Sequence, residues 1–211
     1  MTEPWLALIA GLAGVALGFP LVGVSEGLLR ARRLFSWRVR AAASISCGLL
    51  FAIVAAVLGL VWELPAYLYL ACAAVVLGIV DLAEKRLPNA IVHPSLVVLP
   101  VLLLCAAVLR GAWPQLLGAV EGAGALFAVY LVLALISPAG IGMGDVKLSA
   151  LLGLALGYLG FFPLLIGGAA GFVVGGLVSL IALLARRVTL RSSIPFGPAM
   201  LVGAFVGLLL S

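Results

Sequence analysis

Residues 142–157 read GMGDVKLSALLGLALG, which places an aspartate behind two glycines at the start of a long apolar run. The chain has 211 residues, of which 66% are hydrophobic and only 9% charged, so a carboxylate at this position needs a reason. A structural interpretation makes Asp145 the N-cap of a helix, since Asp is a favoured capping residue. A functional interpretation makes it one half of a reactive pair, because ionisable groups at membrane depth usually serve a function.

Long apolar segments separated by short polar stretches occupy almost the whole chain. Segments of this length predict transmembrane helices. Barrel strands would need a polar residue at every second position, and the segments lack that pattern. The sequence therefore predicts an all-α, polytopic integral membrane protein with about eight transmembrane helices, in a single domain over residues 1–211. The predicted segments are 5–28, 41–62, 65–81, 94–109, 115–136, 147–162, 164–185 and 197–210.

The basic residues are distributed unevenly between the two sides of the membrane. If the N-terminus is outside and each segment crosses once, eleven of the twelve Lys and Arg residues are cytoplasmic and only Arg110 is outside. This bias is typical of cytoplasmic loops. It predicts a multi-pass protein of the cytoplasmic (inner) cell membrane with both termini outside, and it places Asp81 and Asp145 on the cytoplasmic face. The net charge of +5 is thus a topology signal, so we expect membrane lipids and no nucleic acid as partners.

The second aspartate, Asp81, ends the apolar run YLACAAVVLGIVD. At the C-terminal end of a helix the helix dipole disfavours a negative charge, so a purely structural role does not explain an aspartate at this position. Two carboxylates in one poorly hydrated site share a proton. The ionised member then removes a proton from water, and the protonated member donates to the carbonyl oxygen of a scissile peptide bond. Gly142 and Gly144 lack Cβ atoms, so they admit a substrate backbone or allow positive φ.

Residues near the two aspartates have weaker predicted roles. Lys147 pairs with a carboxylate or anchors the helix at the interface. Pro88 ends the basic loop after Asp81 and prepares the next helix. Irregular backbone near a membrane is tolerated beside a cavity or protein, so residues 194–198 are expected to wall the same site. The residues that make this stretch irregular are Pro195, Gly197 and Pro198.

Metal and redox chemistry are not indicated by the sequence. The chain has one histidine, His93, and its three cysteines show no CxxC spacing. A lone histidine does not make a metal site. All three cysteines lie in apolar runs, so we expect them to be buried thiols. No metal is therefore predicted.

Three segments taken together resemble the type IV prepilin peptidases, a branch of the GxGD intramembrane aspartyl proteases. The segment DLAEKRLPN (81–89) is similar to the family's aspartate, basic loop and proline. The segment GMGDVKL (142–148) is similar to its GxGD-x-K motif, and IPFGPAM (194–200) to its C-terminal proline–glycine segment. The resemblance implies an aspartic endopeptidase that removes the basic leader from type IV prepilins or pseudopilins at the cytoplasmic face. It also implies that Asp81 and Asp145 are the catalytic dyad.

Many members of that family also methylate the new N-terminus with S-adenosylmethionine. Larger members have a cytoplasmic insertion after the first span, often with paired CxxC motifs that bind zinc. Here the corresponding region is a short basic loop, residues 30–40, without cysteine. The resemblance therefore implies no cofactor for proteolysis and no zinc, and it leaves N-methylation with S-adenosylmethionine open.

Two other functions are compatible with a pair of membrane carboxylates. A proton-coupled transporter would use them as a relay, but it would be expected to show inverted repeats and midplane carboxylates. No such repeat is evident between the two halves of the chain, and both aspartates lie at span ends. A GxGD protease that acts on other membrane peptides is the remaining alternative.

Overall fold

The computed structural model of the protein describes residues 4–30, 34–137, 140–185 and 195–211. In these ranges the ordered secondary structure is entirely helical, and it comprises eight helices in chain order. They are α1 (Pro4–Leu28), α2 (Trp37–Leu58), α3 (Leu64–Glu84), α4 (Asn89–Arg110), α5 (Trp113–Ile136), α6 (Met143–Leu159), α7 (Phe161–Leu184) and α8 (Gly197–Leu209).

Six of the helices in the described ranges are long and apolar enough to cross a membrane: α1 to α5 and α7. The other two are shorter, with 17 residues in α6 and 13 in α8. A rise of 1.5 Å per residue makes α6 about 25 Å long, slightly less than a hydrocarbon core of about 30 Å. The predicted all-α, polytopic membrane fold is confirmed.

Several helices extend beyond the apolar segments that predicted them. Helix α3 continues through Asp81 to Glu84, and α2 begins at Trp37 instead of residue 41. Residues 37–40 of the predicted basic loop are thus helical, and residues 31–33 lie outside the described ranges. Helix α4 begins at Asn89, which places His93 inside it. Polar residues at a membrane interface can remain helical, so an apolar window underestimates helix length.

The prediction that residues 194–198 are not helical is wrong for Gly197 and Pro198, which open α8. Proline is tolerated in the first turn because its missing N–H has no partner there. Pro195 and Phe196 precede the helix, as predicted, whereas Ile194 lies outside the described residues. The segments 147–162 and 164–185 predict a break between the sixth and seventh helices, and the structure places it at Gly160, whose φ of +130° favours glycine.

One compact unit of the chain comprises Met1–Glu84 and Pro88–Trp113 and contains α1 to α4. Helices α1 and α2 approach so closely that a Cβ atom on Gly14 would lie 2.6 Å from the carbonyl oxygen of Cys47. Similarly, a Cβ atom on Gly18 would lie 2.4 Å from the Cα atom of Ser44. Small residues are what permits such contact between membrane helices.

Two ion pairs join neighbouring helices of this unit. Arg40 Nη2 of α2 lies 2.7 Å from Glu26 Oε2 of α1, and Glu26 Oε1 also accepts the backbone N–H of Phe35 at 2.7 Å. Arg110 Nη1, at the end of α4, lies 2.6 Å from Oε1 of the buried Glu63, which precedes α3. Glu26, for which the sequence suggested no role, therefore links α1 to Phe35 and to Arg40 of α2.

The second compact unit comprises Lys85–Leu87 and Pro114–Ser211, and it contains α6, α7, α8 and most of α5. Its helices pack through glycines spaced four residues apart, since small residues let membrane helices approach closely. These glycines are Gly118 and Gly122 on α5, Gly153 and Gly157 on α6, Gly167, Gly171 and Gly175 on α7, and Gly203 and Gly207 on α8. The single domain over residues 1–211 stays a prediction.

The cysteines are only partly buried, contrary to expectation. Cys47 is buried, Cys72 is half-buried and Cys105 is exposed on α4. A membrane helix presents apolar side chains to lipid, so a position in an apolar run does not require burial in the protein.

Candidate active site

Asp81 lies in the last turn of α3 with only 3% of its surface exposed. Leu77 and Val80, on the same helix, are fully buried. The apolar run that makes α3 a membrane helix therefore carries this carboxyl group out of water. Because such a position is costly for an ionisable side chain, Asp81 remains a functional candidate.

Asp145 is the third residue of α6, and its carboxylate faces back along the chain. Its Oδ2 atom accepts the backbone N–H of Gly142 at 3.1 Å. Gly142 itself occupies the N-cap position with extended backbone, φ −80° and ψ 154°. The N-cap assignment for Asp145 is thus wrong by three residues, although the carboxylate still satisfies a backbone donor at the helix start.

The two motif glycines have different local roles. Among the described glycines, positive φ occurs at Gly59, Gly111 and Gly160 only, so the positive-φ interpretation of Gly142 and Gly144 is wrong. A Cβ atom on Gly144 would lie 3.0 Å from the Cβ atom of Leu87. On Gly142 the nearest atom would be Asp145 Oδ2 at 3.5 Å, an ordinary contact.

Leu87, from the basic loop that follows Asp81 in the sequence, belongs to the same compact unit as Gly144. The side chain of Leu87 is almost buried, with 8% exposed. The turn that leads to it begins at Lys85, whose φ of +51° is unusual for a residue with a side chain. No role was predicted for Leu87, although it lies within the DLAEKRLPN segment (81–89).

We expect Gly144→Ala to lower stability by about 1–3 kcal/mol, because the new methyl group would press on the Cβ atom of Leu87. Gly142→Ala is the control for the added methyl group, because its Cβ atom would make only an ordinary contact, and its thermal unfolding temperature in detergent should lie above that of Gly144→Ala although alanine is a poorer N-cap than glycine. Equal unfolding temperatures for the two single alanine variants would contradict this account.

The C-terminal motif is anchored by aromatic contacts within the second unit. The ring of Phe196 lies 6.2 Å from that of Tyr130 and 5.8 Å from that of Phe172. Tyr130 and Phe172 stack with ring centroids 4.9 Å apart. The residue after Phe196, Gly197, is buried at the start of α8.

Two further predicted site residues, Pro88 and Lys147, lie next to helix starts in the structure. Pro88 is buried and immediately precedes α4, which confirms its role at the end of the basic loop. Lys147 is half-buried on α6. The pairing of Asp81 with Asp145, and the roles of Lys147, Pro195, Gly197 and Pro198 in a site, stay predictions.

Comparison with known families decides the classification. The profile of the type IV leader peptidase family matches residues 67–180, a range that includes both Asp81 and Asp145. The chain belongs to the type IV leader peptidase family. This confirms the predicted family. The match ends before Pro195, so the assignment of the IPFGPAM segment depends on sequence resemblance alone.

Curated relatives of this chain are named prepilin leader peptidase/N-methyltransferase. The protein from Stutzerimonas stutzeri is 32% identical over 166 residues, which cover 78% of this chain and 56% of the relative. The protein from Bacillus subtilis is 31% identical over 174 residues, or 80% of this chain and 64% of the relative. The chain thus spans between half and two thirds of the length of these relatives. No solved structure matches the chain.

Proposed function

We propose that this protein is a membrane-embedded aspartic endopeptidase that removes the basic leader peptide from type IV prepilins or pseudopilins. The observation that carries the proposal is the family match over both aspartates. Leader peptidase is also the activity in the names of the relatives, which supports this substrate class. The family match does not favour a proton-coupled transporter.

The two carboxyl groups lie at opposite kinds of helix end, which supports different catalytic roles for them. Burial raises the pKa of the Asp145 carboxyl group, but the group lies at the N-terminus of α6 and accepts the backbone N–H of Gly142, which acts in the opposite direction and favours its ionised form. Asp81 is buried at the C-terminal end of α3, where the helix dipole favours the neutral form. We therefore assign the general base to Asp145 and the general acid to Asp81.

In the proposed reaction, Asp145 removes a proton from water while the water oxygen bonds to the carbonyl carbon of the scissile peptide. Asp81 donates its proton to the carbonyl oxygen. The C–N bond of the tetrahedral intermediate then breaks, Asp145 donates its proton to the amine nitrogen, and one hydroxyl group of the intermediate returns a proton to Asp81 as the carboxylic acid product forms. Each carboxyl group changes its protonation state in the addition step, and the collapse restores both.

We place this reaction at the cytoplasmic face of the cell membrane, with the N-terminus outside. The supporting observation is that the basic residues, including Lys85, Arg86 and Lys147, cluster in the loops and helix ends assigned to that face. The transmembrane segment of the substrate would remain in the bilayer, and lipids would contact the exposed apolar faces of the helices.

Methylation with S-adenosylmethionine would be a reaction separate from hydrolysis, and it stays a prediction. A cavity lined by Tyr130, Ser149 and Met200 has a volume of about 10 Å³. That is room for about one water molecule, so this cavity does not fit S-adenosylmethionine. We derive no step through that cofactor.

The test uses the purified protein in liposomes with a prepilin that retains its leader and transmembrane segment. Mass spectrometry of the product should show one new N-terminus directly after the basic leader. The same spectrum, with and without S-adenosylmethionine, reports whether one methyl group has been added. Absence of cleavage by protein with a cooperative unfolding transition would contradict the proposal.

A further inference from the structure

Glu121 is a carboxylic acid within a membrane-spanning helix. Helix α5 begins at the exposed Trp113, a residue type typical of the membrane interface, and Glu121 follows two turns later. A rise of 1.5 Å per residue places Glu121 about 12 Å along a helix of about 36 Å, and therefore within the hydrocarbon core. An ionisable side chain at this depth is costly, which makes Glu121 a functional candidate.

The side chain of Glu121 is exposed, and within the part of the chain that the structure describes it takes part in no hydrogen bond or ion pair. Glu26 and Glu63, by contrast, each bind an arginine, at 2.7 Å and 2.6 Å. The arginine of the second pair is Arg110, the one basic residue that the predicted topology places outside. The described residues therefore do not offset the cost of Glu121 in the membrane, which indicates a partner outside the chain.

Glu121 belongs to a row of residues along α5, which we call the Glu121 stripe. The stripe comprises Leu117, Glu121, Gly124, Ala128, Leu131 and Leu135. Its members are alternately four and three residues apart, the spacing by which two helices pack along a shared seam. All of them are exposed except the half-buried Leu131. At about 100° per residue, the buried Gly122 and Tyr130 lie on the other side of the helix, so the stripe faces away from the packed core.

The centre of the Glu121 stripe is made of small residues. A Cβ atom on Gly124 would meet nothing within 4 Å, and Ala128 lies one turn further along the helix. Small residues at a spacing of four let the backbones of two membrane helices approach closely. A polar side chain one turn away, at Glu121, is then within reach of the facing helix.

A second copy of this chain is the partner that this arrangement favours. Two copies inserted in the same direction are related by a two-fold axis along the membrane normal. Each residue of the stripe then lies at the same depth as its counterpart, so Glu121 meets Glu121 of the second copy. A neutral carboxyl group has one O–H donor and acceptor oxygens, so two such groups satisfy each other. A helix of another protein would need a polar residue at that depth, whereas a second copy always provides one.

We propose that the chain dimerises in the membrane through the Glu121 stripe, with the Glu121 carboxyl groups of the two copies hydrogen-bonded to each other. A single polar residue in a seam of this kind fixes the register of the two helices. The inference goes beyond the proposed function and does not depend on it, because Asp81 and Asp145 belong to one and the same chain.

The test measures energy transfer between copies of the full chain that carry a donor or an acceptor fluorophore at the C-terminus, in liposomes of decreasing protein-to-lipid ratio. We expect Glu121→Leu to need about ten times more protein per lipid for half-maximal transfer, as for the loss of an interhelical hydrogen bond in a membrane. Glu121→Gln should associate nearly like the wild type, since an amide also donates and accepts. In detergent, Glu121→Leu should unfold at no lower temperature than the wild type, because it replaces an exposed carboxyl group with an apolar side chain.

A second variant, Gly124→Leu, fills the small centre of the stripe and should abolish energy transfer. Its matched control is Gly176→Leu, at an exposed glycine of α7 whose Cβ atom would also meet nothing within 4 Å. That control should retain wild-type transfer, and so should Gly124→Ala, which keeps a small residue.

The possible results separate this proposal from the proposed function. A wild-type chain that is monomeric at every protein-to-lipid ratio would overturn the dimer. So would wild-type transfer by Glu121→Leu, or equal losses in the two glycine-to-leucine variants. If the protein cleaves no leader but transfer depends on Glu121, the peptidase function fails and the dimer stands.

Discussion

Replacing either Asp81 or Asp145 by asparagine is expected to reduce leader cleavage by about 10²- to 10⁴-fold, the range of a lost general acid or base. Asparagine has nearly the same shape as aspartate but neither ionises nor supplies an acidic proton. In Asp145→Asn the amide oxygen can still accept the N–H of Gly142, so the start of α6 should remain intact. The measurement is single-turnover cleavage of a prepilin in liposomes.

A control for loss of a carboxylate is Glu121→Gln, which changes an exposed carboxylate on α5. It should cleave at the wild-type rate. The double variant Asp81→Asn/Asp145→Asn should be hardly slower than the single variants, because two groups that act in one step do not contribute additively. Wild-type cleavage by either single variant would contradict the dyad. So would a double variant whose loss of rate equals the product of the two single losses.

The sequence predicts the class of fold well, for a specific physical reason. A backbone in lipid must satisfy its own hydrogen bonds, so a long apolar run leaves the helix as the natural structure. Six of the described helices meet the length requirement on this basis alone. Helix ends are less predictable, because the pattern of apolar residues marks neither the end of α3 at Glu84 nor the start of α2 at Trp37.

The candidate site was predictable only where a residue's chemistry is unusual for its surroundings. Asp81 and Asp145 stand out because carboxylates in a membrane protein are costly. Leu87 does not stand out, because a leucine is ordinary in an apolar chain, and its contact with Gly144 depends on how the chain folds. The spacing of Gly118 and Gly122 on α5 was an available signal, but its meaning required the partner helix α6.

The second large effect concerns Gly122, where α5 approaches α6. A Cβ atom there would lie 2.5 Å from the carbonyl oxygen of Gly153 and 2.9 Å from the Cα atom of Gly157. Both are backbone atoms, which cannot yield by rotating a side chain. Gly122→Ala must therefore separate α5 from α6, and we expect a loss of about 1–3 kcal/mol in the free energy of unfolding.

Gly124→Ala is the matched control, because a Cβ atom there would meet nothing within 4 Å. Both variants gain the helix propensity of alanine, about 1 kcal/mol over glycine, so the difference between them isolates the close approach of the helices. Thermal unfolding in one detergent should rank Gly124→Ala at or above the wild type and Gly122→Ala clearly below it. Cleavage by Gly122→Ala should fall as well, since separating the helices displaces α6, which carries Asp145. Equal unfolding temperatures for the two variants would contradict the close approach of α5 and α6 at Gly122.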